Sequence, residues 1–209
     1  MREMLLWTGL GTWRAEASEV ELDDDRLSAS GTQLGVDPLP YRLDYSLRTG
    51  PRFVTERLEV TVRGQGWRRH LDLRHDGSGT WTCTVDQDGE VDLPAPGGDL
   101  TSVTGALDCD LGRSPITNVL PVRRHDLHRG PGGFDFLMAW VSVPDLAVHP
   151  ANQRYEHVRL NPDGGAAVRY VGAHRGVDLE LTLDAQGFVL HYPDLAERVH
   201  PAPPHAEPA

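Results

Sequence analysis

The sequence predicts a mostly-β protein with an antiparallel sheet, and three observations support that fold class. Apolar and polar residues alternate for eight positions in Val177–Asp184, and the alternation recurs around Leu58 and Leu71. Such runs turn one face of a strand toward a core and the other toward water. Turn signals such as Asp76-Gly77 and Gln186-Gly187 separate the runs, and helix patterns are scarce. Short strands divided by tight turns are typical of antiparallel hairpins.

The spacing of these signals places most of the strands. We expect four strands between Tyr41 and Val85 and three more between Tyr155 and Tyr192. The shorter apolar pairs Val141/Val143 and Val158/Leu160 are expected to face the core as well. A meander, a sandwich and a roll all agree with this pattern.

One helix is predicted, beginning at Ser114-Pro115. Ser is a good N-cap, and Pro suits the first helical position. Pro121 is expected to end the helix after one to two turns, because it removes a backbone donor and pushes Leu120 out of the α region. An extended segment from Val122 to Leu127 should follow.

The length of 209 residues suits one domain, which we expect to span residues 1–200. A globule of this size buries about 70% of its unfolded surface, enough for a core without disulfides or metal. The C-terminal segment PAPPHAEPA, residues 201–209, has no apolar anchor and is predicted to be disordered.

Charge and targeting signals limit the classes of partner. The net charge of −11 disfavours nucleic acid and anionic lipid surfaces. The N-terminal segment MREMLLW is too short for a signal peptide, and no window is long enough to insert into a membrane. We therefore expect a cytoplasmic protein in which Cys83 and Cys109 are thiols.

Four segments resemble a bacterial family described as glycolipid-binding, formerly a domain of unknown function. The central one reads GALDCDL from Gly105, then SPITN from Ser114 and LPVRR from Leu120. The other three are Tyr41–Tyr45 (YRLDY), Gly79–Trp81 (GTW), and Gly187–Val189 (GFV) followed by Tyr192-Pro193. Together they span nearly the whole chain.

The resemblance implies a spiral β-roll, a long antiparallel sheet curled around a single short helix. It also implies a shape similar to lipid carriers with a half-barrel. An opening between helix and sheet would be an apolar slot suited to acyl chains. Aromatic residues are candidates for its walls, although they also suit an ordinary core: Tyr41, Trp67, Trp81, Trp140 and Tyr192.

Polar residues of the central segment are candidates for holding a ligand's head group. Asp108 and Asp110 share one face of a strand and suit sugar hydroxyls or a metal ion, or else local turn bonding and Arg partners. Asn118 suits a sugar hydroxyl or a local backbone bond. Arg123 and Arg124 point oppositely on a strand, so one suits a head group and the other an internal ion pair.

Neither a metal nor a cofactor is expected. His125 and His128 would lie on opposite faces of a strand, and no third ligand has suitable spacing. We predict binding of a lipid-like or glycolipid-like molecule without catalysis, with candidate ligand-binding residues Asp108, Asp110, Asn118, Arg123, Arg124, Trp81 and Tyr41. The alternatives are a hydrolase or isomerase with Asp108 or Asp110 as general base, and a dimerising scaffold that pairs its open sheet edges.

Overall fold

The computed structural model describes residues 1–173 and 176–200, and its strands form one 14-stranded sheet. The strands are β1 (Arg2–Gly9), β2 (Arg14–Leu22), β3 (Leu27–Gly35), β4 (Tyr41–Thr49), β5 (Thr55–Gly64), β6 (Trp67–His75), β7 (Trp81–Asp88), β8 (Asp108–Leu111), β9 (Gly133–Val141), β10 (Val148–Leu160), β11 (Ala166–Gly172), β12 (Val177–Leu183), β13 (Val189–Tyr192) and β14 (Ala196–Arg198). One α-helix, α1 (Val119–Arg124), occurs in the described residues. The mostly-β prediction is confirmed.

The chain starts in the middle of the sheet. Strands β1 to β7 step outward to one edge by successive antiparallel pairings, and β8 then starts the opposite edge. From β8 the strands step back until β14 pairs with β1, and among the strand pairs of the described residues only β8–β9 is parallel. The two halves of the chain therefore meet along the β1–β14 pair.

The sheet curls so that β8 and the segment before it lie against the first half. Thr55 in β5 donates its backbone N–H to Leu107 at 3.0 Å, and its Oγ1 accepts from the Cys109 N–H at 3.0 Å. Trp81 donates from Nε1 to the Ala106 carbonyl at 2.9 Å. In the described part of the chain β7 and β8 form no ladder with each other, so the roll is not closed.

The concave face carries the core. The predicted strands in Tyr41–Val85 are β4 to β7, and their alternation is confirmed: Leu43, Leu58, Val60 and Leu71 are fully buried. Every buried position of this kind removes apolar surface from water. The core is continuous from these strands to β8 and the helix.

Strands β1 to β3 were not indicated by apolar alternation. In β2 the inward positions include Arg14, Glu16 and Ser18, each at most 6% exposed. Because polar residues occupy inward positions of β2, its sequence lacks the alternation of apolar and polar residues that indicates a half-buried strand.

The helix differs from its prediction. A 3-10 turn covers Ile116–Asn118, and α1 then continues through Pro121. Pro121 lies in the first turn of α1, where its missing N–H has no acceptor within the helix, so it does not end the helix. The predicted extended segment from Val122 to Leu127 is wrong, because helix and turn occupy it.

Two strand predictions in the second half also need correction. Tyr155 to Tyr192 contains parts of four strands, β10 to β13, rather than three. Val158 and Leu160 are 45% and 57% exposed, because a register shift between His157 and Arg159 interrupts the alternation of β10.

The structure also bears on the expectations about membrane spans, the two cysteines and the C-terminal tail. In the described residues no helix is long and apolar enough to cross a membrane. Cys83 and Cys109 are free thiols, and burial raises the pKa of Cys83 to about 11 and that of Cys109 to about 12. The tail predicted to be disordered, 201–209, lies outside the described residues.

Candidate functional site

Asp108 and Asp110 lie on one face of β8 but have different surroundings. They stand opposite Met138 and Trp140 of β9 in the parallel pairing. Asp108 is fully buried, whereas Asp110 is half-buried. The predicted shared face is therefore present, and the two carboxylates point to separate places along it.

Asp108 forms an internal ion pair with Arg124. Nη1 of Arg124 donates to Oδ2 at 2.8 Å, and Nη2 donates to Oδ1. The same guanidinium donates to the carbonyls of Arg52 and Phe53 at 2.9 and 3.0 Å. Burial raises the pKa of Asp108, and the contact with Arg124 opposes that rise. Four of the five guanidinium N–H groups have acceptors within the protein, and these bonds hold α1 to β8 and to the turn before β5.

Asp110 accepts hydrogen bonds from neutral side chains instead. Thr117 Oγ1 donates to Oδ1 at 2.9 Å, and Gln153 Nε2 donates to Oδ2 at 2.6 Å. Gln153 Oε1 accepts from the Tyr155 hydroxyl at 3.0 Å, and that hydroxyl accepts from Asn118 Nδ2 at 2.7 Å. The sequence suggested a sugar hydroxyl or local backbone as the partner of Asn118. In the structure its Nδ2 donates instead to Tyr155, which lies 37 positions away on a strand.

A second buried network surrounds Glu16. Its Oε1 accepts from Ser114 Oγ at 2.6 Å and from the Tyr45 hydroxyl at 2.9 Å, and its Oε2 accepts from Gln33 at 3.3 Å. Tyr41 donates to Gln33 at 2.7 Å. Burial raises the pKa of Glu16, while these three donors oppose the rise. Through its bond to Gln33, Tyr41 belongs to this network, and burial raises its pKa to about 12.

A small polar recess lies between these two networks. Its free volume is about 10 Å³. It is lined by Asp110, Leu111, Gly112, Arg113, Ser114, Asn118, Trp140, Tyr170, Tyr192 and Leu195. We call it the polar recess.

A larger apolar groove adjoins the polar recess, where two neighbouring strands separate. All seven residues of β12 pair with β11, but only Thr182 and Leu183 pair with β13. The gap beside the rest of β12 forms a groove of about 350 Å³. This seam groove is lined by Gly176, Val177, Asp178, Leu179, Tyr192, Pro193, Asp194 and Leu195. Tyr192 and Leu195 line both spaces.

A second groove, of about 290 Å³, lies over the Asp108–Arg124 pair. Its wall includes Phe134, which is 38% exposed and stacks on His125 with ring centroids 4.0 Å apart. The ion pair below it is at most 2% exposed, so its charges are already satisfied by each other. Of these spaces, we regard the seam groove and the polar recess as the stronger candidate site, because Asp110 in the recess and the apolar side chains of the groove are only partly buried.

Most of the space between α1 and the sheet is packed. Val122, Leu127, Met138, Val168 and Leu181 fill it and are at most 2% exposed. The slot that the resemblance implies between helix and sheet is therefore largely filled by core side chains.

The other predicted site residues fall outside the seam groove and the polar recess. Arg123 donates to the Gln186 carbonyl at 2.8 Å and stacks over Phe53. Trp67 and Trp81 are buried in the main core, at most 7% exposed. Of the five aromatic residues expected at a binding wall, Trp140 and Tyr192 line the polar recess. His125 and His128 lie in the turn after α1, and the described residues contain no group of three metal-ligating side chains.

Several residues of the site carry no local motif. Gln153 and Tyr155 lie on β10, and Tyr170 lies on β11. The signal that could have indicated them is the alternation of Ala151, Gln153 and Tyr155, which are all buried on one face of β10. A polar residue among inward positions needs a partner inside, and Asp110 supplies it.

The comparisons with known proteins agree with the fold. A model of the family described as "Putative glycolipid-binding" matches residues 4–198. The crystal structure of a DUF1089 family protein from Pseudomonas aeruginosa is similar, with 28% sequence identity and a TM-score of 0.68. The similarity covers 88% of this chain and 92% of that one. No curated protein matches this chain in sequence.

Proposed function

The chain belongs to the glycolipid-binding family, and we propose that it binds a lipid-like, glycolipid-like amphiphile without transforming it. The hydrocarbon chain would lie in the seam groove, and the polar head would lie at the polar recess. The observation that carries this proposal is that Tyr192 and Leu195 are common walls of the apolar and the polar space. A ligand that occupied both would therefore have an apolar and a polar end.

The dimensions and the walls of the seam groove support an acyl chain as its occupant. Its volume of about 350 Å³ is comparable to known ligand sites, which are roughly 300–1,000 Å³. Val177, Leu179 and Leu195 are partly buried against the neighbouring core, so an inserted chain would complete their burial. Each buried methylene contributes about 0.8 kcal/mol.

The carboxylates support binding more than catalysis. A general base needs an oxygen within reach of the substrate's proton. Both oxygens of Asp108 are held by Arg124 inside the core. Asp110 reaches the polar recess, and its bonds from Thr117 and Gln153 orient it as an acceptor for a ligand hydrogen.

Binding of alkyl glucosides of increasing chain length would test the proposal. Affinity should rise about threefold to fourfold per added methylene, which corresponds to about 0.8 kcal/mol. Leu179→Arg in the seam groove should weaken binding at least tenfold. Leu160→Arg is the matched control, because Leu160 is 57% exposed on β10. Equal effects of the two variants, or no co-purifying lipid and no binding at all, would count against the proposal.

A further inference from the structure

The polar recess presents hydrogen-bond acceptors at Asp110 and Ser114. An ionised carboxylate has about four acceptor positions and no donor. Asp110 uses one oxygen for Thr117 and the other for Gln153, at 2.9 and 2.6 Å, so acceptor positions remain on a half-buried group. Ser114 donates its hydroxyl hydrogen to Glu16 at 2.6 Å, so its Oγ, which already accepts from the Ile116 N–H at 3.3 Å, can only accept from a further group.

The neighbouring side chains fix this polarity. Because a carboxylate cannot donate, Gln153 must present its Nε2 to Asp110, and its Oε1 then accepts from Tyr155. Tyr155 accepts in turn from Asn118. In this series of hydrogen bonds every donor points toward Asp110. Asp110 could act as a donor only if the side-chain amides of Gln153 and Asn118 were turned over.

The charge of Asp110 has no cationic partner within ion-pair distance in the part of the chain that the structure describes. Arg113 is the cationic side chain in the recess wall, and it donates to Asp37 at 2.6 Å. The carboxylate therefore disfavours a second anion and favours a group that brings a hydrogen.

The size of the recess restricts that group further. A free volume of about 10 Å³ is close to the space of one water molecule, for which roughly 10–15 Å³ is needed. A single hydroxyl group fits such a space after small side-chain adjustments. A phosphate, a sulfate or a trimethylammonium group is several times larger. Trp140, Tyr170 and Tyr192 supply aromatic walls around the entering group.

We infer that the polar recess takes one hydroxyl of the ligand's head as a hydrogen-bond donor to Asp110, so that the site selects neutral, hydroxylated head groups over anionic ones. This inference rests on the proposed function, because the seam groove must hold the rest of the ligand. It adds a head-group preference that apolar binding alone would not produce.

Three probes with the same alkyl chain test the inference: decyl glucoside, decyl sulfate and decyltrimethylammonium, each below its micellar concentration. Calorimetry or intrinsic fluorescence should show the glucoside bound at least tenfold more tightly than either charged probe. Asp110→Asn should weaken glucoside binding about tenfold, since a hydrogen bond to a charged acceptor is stronger than one to a neutral amide. Asp135→Asn removes the same charge at an exposed position outside the recess and should leave binding unchanged.

The outcomes separate the two proposals. Equal or tighter binding of decyl sulfate would overturn the head-group preference while leaving amphiphile binding intact. Unchanged glucoside affinity in a folded Asp110→Asn variant would also overturn it. Absence of binding for all three probes would overturn both proposals. The ranking of the probes on the unaltered protein needs no variant, so it decides the question even if Asp110→Asn does not fold.

Discussion

Arg124 donates to both carboxylate oxygens of Asp108, and neither side chain is more than 2% exposed. Arg124 also binds the carbonyls of Arg52 and Phe53, whose φ angles are 57° and 59°. These residues adopt the left-handed conformation that L side chains disfavour. The ion pair therefore fixes a strained turn of the first half of the chain onto the β8–α1 segment of the second half.

Loss of the charge on Asp108 should destabilise the fold much more than the same loss on Asp110. Asp108→Asn leaves the Arg124 guanidinium buried without a counter-charge, which costs about 3–5 kcal/mol. Asp110→Asn keeps a half-buried group of the same shape and should cost about 1–2 kcal/mol. Urea unfolding at pH 7 measures both free energies. Similar losses for the two variants would contradict a structural role for Asp108 distinct from that of Asp110.

The strands of the first half could be predicted where their inward positions are apolar. Leu58, Val60 and Leu71 follow the period-2 rule and are buried as expected. Strand β2 could not be found in this way, because Glu16 points inward and is stabilised by Ser114, which lies 98 positions away. A pairing at that distance leaves no trace in a local pattern, so polar inward residues break the rule wherever a long-range network satisfies them.

The candidate site could be predicted only in part for the same reason. Asp110 and Asn118 stand in one conspicuous segment, but Gln153 and Tyr155 join them through the register of β10 with β9. The seam groove depends on β13 being only four residues long while β12 has seven. Strand ends are set by turns and packing, and sequence patterns locate them poorly.

Gly31 should be hard to replace, although its backbone conformation is an ordinary one. It stands opposite Tyr45 across the β3–β4 pair, and a Cβ at Gly31 would lie 2.5 Å from the Tyr45 hydroxyl and 2.7 Å from the Ala17 carbonyl. Gly31→Ala should therefore displace the Tyr45 ring from Glu16 and cost about 1–3 kcal/mol. Thermal or urea unfolding measures the loss.

Gly130→Ala is the control for the substitution at Gly31. A Cβ at Gly130 has no heavy atom within 4 Å, so the change should alter stability by less than about 0.5 kcal/mol. If Gly31→Ala were as mild as Gly130→Ala, the close packing of Tyr45 over β3 would be wrong.

Arg69 should hold the segment that follows β7. It is 2% exposed, and its guanidinium donates to the Leu93, Pro94 and Asp145 carbonyls and to Gln87. Arg69→Met leaves these acceptors without donors, at a cost of about 1–3 kcal/mol for each one that water cannot reach. We expect lower stability and faster proteolysis between residues 89 and 98.

Arg68→Met is the matched control for Arg69, one position away on the outer face. Arg68 pairs with Asp86 in a solvent-exposed contact, and such pairs contribute about 0–1 kcal/mol. Limited proteolysis with mass spectrometry should find the cleavage rate unchanged in Arg68→Met. Faster cleavage in both variants would indicate a general loosening rather than a specific anchor.

His128 should make the protein sensitive to mild acid. It is 1% exposed, and neither ring nitrogen has a hydrogen-bond partner in the described residues. Burial, together with the charges of Arg123 and Arg129, lowers the pKa of His128 to about 4 against the opposing charge of Asp126. An unfolded chain protonates His near pH 6.5.

Between these two values the unfolded state binds more protons, so the stabilisation is complete above pH 6.5 and decreases as the pH falls toward 4. The loss between pH 7 and pH 5 should be about 2 kcal/mol, since each pKa unit corresponds to 1.36 kcal/mol. The free energy of unfolding would be measured at both pH values for the protein and for His128→Leu. The change with pH in the variant, subtracted from the change in the protein, gives the contribution of His128. That comparison cancels the contributions of the other titrating groups. His149→Leu, at an exposed position, is the control and should keep the full pH dependence of stability. If His128→Leu kept the same pH dependence, His128 would not be the acid-sensitive group.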